Sequence, residues 1–286
     1  MNYFGEALYG KYFAEMGLNA KFLNRNVDYF ATPALDSLAG QKFNEQNYGA
    51  TLGIPLSWNK GIFNYTFKSI VGFTGHKTSE YEKPSTLKGL DFGSIASSIS
   101  FSALQLQAKQ NLMPRWGIDF YAQYQKSISK EVEAERINAE GNVYIPGLMR
   151  NHGIKLTYCR QKELTSNDFR FVDYFDYARG YEARPNDEVY KISVDYALPL
   201  FYPDWGFASF TYFKRIKADL FYDISKVKYL GKTADQNSYG AEICFDNTIL
   251  DIIPVSFGFR ESFLLNDDVL NPDMKNKFEV VFKMGF

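Results

Sequence analysis

The sequence predicts an all-β protein, a transmembrane antiparallel up-and-down β-barrel of about twelve strands. Three observations carry that prediction. Apolar residues recur with a period of two, connections alternate between long and short, and aromatic residues gather near strand ends. Phe, Tyr and Trp number 26, 21 and 3, or 17% of 286 residues, yet the mean hydropathy is −0.31. Many aromatics in a chain of negative mean hydropathy imply apolar residues spaced evenly among polar ones, as in alternating strands.

The strands follow in order. A weak pattern at 12–23 (Tyr12, Ala14, Met16, Leu18, Ala20, Phe22) comes first. Tyr48, Ala50, Leu52, Ile54, Leu56 and Trp58 then share one parity. So do Phe63, Tyr65, Phe67, Val71 and Phe73. The segment 93–109 changes parity between Ala103 and Leu104, which predicts a bulge there. Trp116 to Tyr124 alternates strictly, and weaker strands are expected at 137–146 and 152–163. Tyr190 to Leu200, Ile216 to Ile224, Tyr239 to Phe245, Ile253 to Phe259 and Phe278 to Phe286 complete the series. No segment makes a convincing amphipathic helix, and no linker or repeat divides the chain, so residues 1–286 read as one barrel domain.

Connection lengths add a direction. Long gaps at 24–46, 75–92, 128–136 and 164–187 alternate with short ones at 59–61, 110–114 and 147–151. A loop at 228–237 and another at 266–275 continue the long set. In a meander this puts the long loops at one rim and the tight turns at the other, as in outer-membrane barrels. With an even strand count both termini would lie at the short-turn rim.

A soluble sandwich or lipocalin-like barrel would hide the apolar parity, whereas a membrane barrel would show it to lipid. Strands of 10 to 14 residues suit a bilayer crossing, which needs about 9–11. Tyr48, Trp58, Tyr190, Tyr202, Trp205 and Tyr229 sit where aromatic girdles belong. The opposite parity is strongly polar, as a wet lumen requires. The membrane barrel is therefore preferred.

Other classes are excluded. Lys and Arg number 32 against 33 Asp and Glu, so there is no basic face for nucleic acid. No apolar run approaches the roughly 18 residues of a spanning helix. The chain holds no P-loop, dinucleotide fingerprint, nucleophile elbow or zinc motif. Neither enzymatic chemistry nor a cofactor or metal is expected. His76 and His152 read as solvated loop residues. Cys159 and Cys244 fall on the polar parity of strands that are not neighbours, so no disulfide is expected. The acidic groups Glu131, Glu133, Glu135 and Asp267, Asp268, Asp273 read as a solvated rim, with cation binding as the alternative. The opening Met1-Asn2-Tyr3-Phe4-Gly5-Glu6 has no signal-peptide features. For an exported protein this implies a signal already removed, or a C-terminal piece of something longer.

One loop carries a motif. Asp176-Tyr177-Ala178-Arg179-Gly180-Tyr181-Glu182 lies in the longest connection of the second half, and five strands are expected after it. Pro199-Leu200 ends the next strand, and Phe221 and Asp223 sit on the polar parity of the one after. These motifs, in this order, resemble the barrel of the BamA/two-partner-secretion transporter superfamily, also called the bacterial surface antigen family. There a lumenal loop carries Arg-Gly-Tyr or Arg-Gly-Phe, and a strand of the Phe-x-Asp-x-Gly type faces it. Here Ser225 stands in place of that Gly, and Ala178 in place of the usual Val. The resemblance covers about 176–286.

The resemblance implies that Arg179 pairs with Asp223 inside the barrel, that Gly180 permits a sharp bend, and that Tyr181 packs on the inner wall. The alternative for Arg179 is an exposed residue of a polar loop. A terminal Phe286 resembles the signal read by the barrel assembly machinery, the alternative being a simple interfacial anchor. The resemblance further implies a bacterial outer-membrane location, lipid as surroundings, and protein insertion or translocation with a polypeptide substrate. The family barrel has sixteen strands and usually has upstream periplasmic domains, so about twelve strands would be part of such a barrel. Rival readings are a passive channel or small-molecule transporter, which needs only the polar lumen, and a surface-exposed adhesion or structural barrel.

Overall fold

The computed structural model describes residues 3–12, 14–30, 38–79, 89–108, 110–166, 169–174, 176–183, 186–207, 210–250, 252–268 and 273–284. The strands are β1 (Tyr3–Tyr12), β2 (Ala14–Phe30), β3 (Leu38–Lys60), β4 (Phe63–Thr78), β5 (Asp91–Gln105), β6 (Gly117–Ser127), β7 (Ala134–Pro146) and β8 (Gly153–Ser166). After a long connection come β9 (Glu188–Phe201), β10 (Trp205–Phe207), β11 (Thr211–Tyr229), β12 (Lys232–Ile249), β13 (Ile253–Leu264) and β14 (Asn276–Met284). All fourteen form one sheet in sequence order, except that β10 hangs off β11 alone. Every pairing is antiparallel, so thirteen strands make an uninterrupted meander. Among the described residues no ladder joins β1 to β14. Among the described residues no helix is long and apolar enough to cross a membrane.

The alternation resolves into an outer and an inner face, and the apolar parity is the outer one. On β11, Leu220, Tyr222 and Ile224 are exposed while Phe221, Asp223 and Ser225 are buried. Ser238 on β12 and Ser262 on β13 are likewise fully buried, and Ile243, Phe257 and Phe259 face outward. A soluble barrel has the reverse arrangement. Here the apolar side chains form a wall suited to lipid, and the polar ones line a lumen. Trp58 stacks on Tyr65 at 5.4 Å and Trp205 on Phe213 at 5.6 Å. Both pairs lie at the same rim and form the aromatic girdle expected at a membrane interface.

Several expectations are corrected. The described residues form fourteen strands, where about twelve were expected. β1 escapes the period-two test because Phe4, Leu8 and Tyr9 put apolar residues on both parities. β10 is too short to show a period. The register of β5 runs without a shift through Ala103 and Leu104 on both sides, so there is no bulge. Leu104 instead points inward and fills the space over Gly117, where a Cβ would lie 2.7 Å from its Cδ2. The 228–237 loop is a tight turn of Leu230 and Gly231, both at positive φ (46° and 77°). Two consecutive positive values make the turn that matches strand twist, and glycine takes the second without strain.

The rims are therefore less regular than expected. One rim carries the connections 79–90, 128–133, 167–187 and 265–275, together with the tight 230–231 turn. The other carries the short 61–62 and 250–252 turns, but also the long connection 106–116. Thirteen ladder strands start β1 at the long-loop rim and end β14 at the opposite one, so the two described ends do not share a rim.

Candidate functional site

The connection from β8 to β9 crosses the lumen and touches both walls. Its second half carries the Arg-Gly-Tyr motif. On β9 the inward parity is Lys191, Ser193 and Asp195, and on β11 it is Asp219, Phe221 and Asp223. Register sets Asp195 opposite Phe221 and Ser193 opposite Asp223. The two carboxylates thus lie diagonally on adjacent strands, and Arg179 reaches both. Its Nε donates to Asp223 Oδ2 at 2.8 Å and its Nη2 to Asp223 Oδ1 at 2.6 Å. The Arg179 backbone N–H adds a third bond to Asp223 Oδ2 at 3.0 Å, and Nη1 donates to Asp195 Oδ1 at 2.6 Å. The guanidinium lies 3.8 Å above the Phe221 ring. This is the fork-on-fork geometry that a planar guanidinium makes and an ammonium cannot. Asp223 is fully buried. Burial works against the Arg179 charge, but the Asp223 and Asp195 carboxylates outweigh it and push the pKa further up.

Gly180 turns the chain at φ 90°. A Cβ there would sit 3.0 Å from Ser262 Cβ and 3.2 Å from Leu264 Cδ1, so the backbone lies directly on β13. Tyr181 follows, with its hydroxyl 2.9 Å from Asn266 O and 3.0 Å from Asn237 O. Ala178, Tyr181 and Leu264 form a small buried apolar cluster, with Met274 packed against it.

The first half of the connection is held by the far wall. Phe169 and Phe171 pack with Phe92, Val132 and Ala134. The ring of Phe169 meets Phe92 edge-on at 4.8 Å, and His76 stacks on Phe92 at 4.8 Å. Beneath them Arg25 donates to Glu45 Oε2 at 2.7 Å and to the Arg170 carbonyl at 2.9 Å. Glu45 Oε1 lies 2.9 Å from His76 Nδ1, and His76 Nε2 lies 2.8 Å from Ser94 Oγ. Further along, Gln161 Nε2 donates to Asp173 Oδ1 at 2.6 Å and Tyr121 stacks on Tyr174 at 4.6 Å. Contacts on β2 to β5 at one end and on β9 to β13 at the other require the sheet to curl around the loop.

His76 is thus no solvated loop residue. It is an inward side chain of β4, 4% exposed. The inward parity Gly72, Thr74, His76, Thr78 would have shown this, had the strand been extended past Thr74. His152 lies in a turn but is half-buried and hydrogen-bonded to the Tyr196 hydroxyl at 2.8 Å. Arg25 and Glu45 carried no motif and were missed. Cys159 and Cys244 are free, buried thiols on β8 and β12. Among the described residues no three acidic, His or Cys side chains gather as a metal site. Phe286 lies outside the described residues.

Between the Arg-Gly-Tyr loop and the short-turn rim lies a cavity of about 950 Å³. Lys155, Lys191, Asp219, Glu242, Arg260 and Lys283 line it. It is charged with both signs, and Arg260 and Lys283 both pair with Glu242 (2.6 and 3.1 Å).

No family model matches the sequence, and no curated protein matches it either. Solved structures do. The chain is similar to BamA from Haemophilus ducreyi lacking POTRA domains 1–3, with a TM-score of 0.60 and 13% identity over 99% of this chain and 62% of that one. It is also similar to CdiB from Acinetobacter baumannii, with a TM-score of 0.56 and 11% identity over 98% of this chain and 49% of that one. The chain therefore spans about half to three-fifths of these proteins' length. With the outward apolar wall, the meander and the lumenal loop, this likeness shows that the chain shares the β-barrel fold of these two solved structures.

Proposed function

We propose that this chain is a barrel of the bacterial outer membrane that takes part in inserting or translocating polypeptides, with the Arg179-Gly180-Tyr181 loop as its lumenal plug. The observation that supports this most is the bidentate Arg179–Asp223 pair at the centre of a lumen whose outer wall is apolar. Nothing in this reading needs a covalent step, a cofactor or a metal. The lumen supplies a path and the loop controls it. The partners are outer-membrane lipid, the barrel assembly machinery and an unfolded polypeptide.

The test is reconstitution in lipid vesicles with an unfolded outer-membrane barrel as substrate. The reading expects the protein to speed membrane insertion of that substrate, or its passage to the far side. It expects Arg179→Ala to change that rate. Steady ion conductance with no effect on any polypeptide would overturn it in favour of a passive channel.

A further inference from the structure

The 106–116 connection is the long one at the rim where short turns belong, and it does not hang free. It leaves β5 and enters β6, yet its contacts lie on strands further round the wall. The carbonyl of Asn111 accepts from Arg215 Nη1 at 3.2 Å. Arg215 is an inward residue of β11, itself fixed by Asp246 through Nε at 2.6 Å. The Gln110 carbonyl accepts from the Tyr202 hydroxyl at 3.1 Å, in the turn after β9. Met113 lies over the inward face of β8, so close to Gly153 that a Cβ there would be 2.7 Å from its Sδ. Pro114 is buried beside it. A segment rooted on β5 and β6 that touches β8, the β9 turn and β11 must cross the mouth of the lumen.

The cavity beneath the Arg-Gly-Tyr loop has Met113 in its lining. The loop stands on one side of that space and Met113 on the other. We propose that the 106–116 segment is a second closure, at the opposite rim from the plug loop. The space between would then be a chamber sealed twice, and opening the plug loop alone would not clear the lumen. Among the described residues the segment's contacts across the mouth are two backbone carbonyls and the Met113 side chain. That makes it the weaker seal, able to release when Arg215 or Tyr202 finds another partner. The inference rests on the barrel geometry and not on any transport activity.

The chain carries its own reporter. Cys159 is free, buried and lines the chamber, whereas Cys244 is removed by Cys244→Ser. The rate of Cys159 modification by a small cationic methanethiosulfonate reagent is measured on folded protein in detergent, folding being checked by heat-modifiable gel migration. Four proteins are compared: the parent, Arg179→Ala, a variant with 107–113 replaced by a short Gly-Ser turn, and the two changes combined. A doubly sealed chamber predicts slow modification of the parent and at least a tenfold rise on replacing 107–113, equivalent to about 1.4 kcal/mol of closure. The combined protein should react fastest. Met113→Gly, which leaves the segment in place, should move the rate the same way if the replacement fails to fold. A rate unchanged by both lower-rim variants, in proteins that migrate as folded barrels, would overturn the second closure. That result would leave the plug loop and the transport reading untouched.

Discussion

The two ends of the lumenal loop are anchored by different chemistry. At the C-terminal wall one charged group does most of the holding, with Arg179 forked onto Asp223, reaching Asp195 and lying on Phe221. At the N-terminal wall no single contact dominates. Phe169 and Phe171 bury their rings against Phe92 and His76, and Arg25 holds the Arg170 carbonyl. The first anchor is directional and depends on geometry to a few tenths of an ångström. The second is a small apolar patch with polar support, and it tolerates displacement better. A loop built this way can loosen at one wall while staying seated at the other, which a loop with two identical anchors could not do selectively.

The largest expected effect tests the directional anchor. Arg179→Ala leaves Asp223 with no exposed surface and without its bidentate partner, a change of about 3–5 kcal/mol where a buried charge is stranded. Asp223→Ala should cost less, because Arg179 keeps Asp195 at 2.6 Å. The double variant should cost less than the sum of the two. Urea unfolding followed by heat-modifiable migration measures all three. Simple additivity would mean that the pair contributes nothing as a pair.

The aromatic anchor comes next. Phe169→Ala removes a ring that touches Phe92, His76 and Phe171, and deletion of a buried Phe costs about 3 kcal/mol or more in a packed core. This cluster is small and borders a lumen, so a value nearer 2 kcal/mol is expected. Limited proteolysis would separate the anchors. Phe169→Ala should expose the chain around 169–174 to cleavage while 178–183 stays protected, and Arg179→Ala should do the opposite. Equal exposure of both halves in both variants would show that the loop moves as one body.

The two anchors also differ in how far they could be read from the sequence. The Arg179 contact was legible because its parts are local. A three-residue motif, a following strand with Asp on its polar parity and five long strands to the end carried the resemblance that implied the pair, and none of them involves the other wall. The second anchor was not, because Arg25, Glu45, His76 and Phe92 lie on four strands, β2 to β5, and Phe169 joins them only through closure of the sheet. Each is unremarkable where it stands, and His76 was lost by ending its strand at Thr74. β1 failed for another reason: apolar residues on both parities erase the period that identifies a strand. The lower-rim segment 106–116 failed because a buried Pro114 and a lumenal Met113 look like ordinary turn residues.

A smaller effect sharpens the meaning of directional. Arg179→Lys keeps the charge but cannot fork onto Asp223 and reach Asp195 at once. It should cost about 1–2 kcal/mol, roughly the worth of one charge-assisted bond. A lysine variant indistinguishable from the parent would mean that charge alone holds the loop.

The smallest expected effect lies beside it. Tyr181→Phe keeps the ring in the cluster with Ala178 and Leu264 and removes only the hydroxyl that bridges Asn237 O and Asn266 O. Asn237 is a half-buried residue of β12 and Asn266 lies past the end of β13, on the long-loop side of the lumen, where water can replace the lost donor. The expected cost is therefore at the low end of a neutral hydrogen bond, about 0.5 kcal/mol. The same unfolding assay should place Tyr181→Phe well above Arg179→Lys in stability. If it falls as far as Arg179→Ala, the hydroxyl is sealed from water, and the C-terminal anchor extends from the ion pair to the rim as one connected unit.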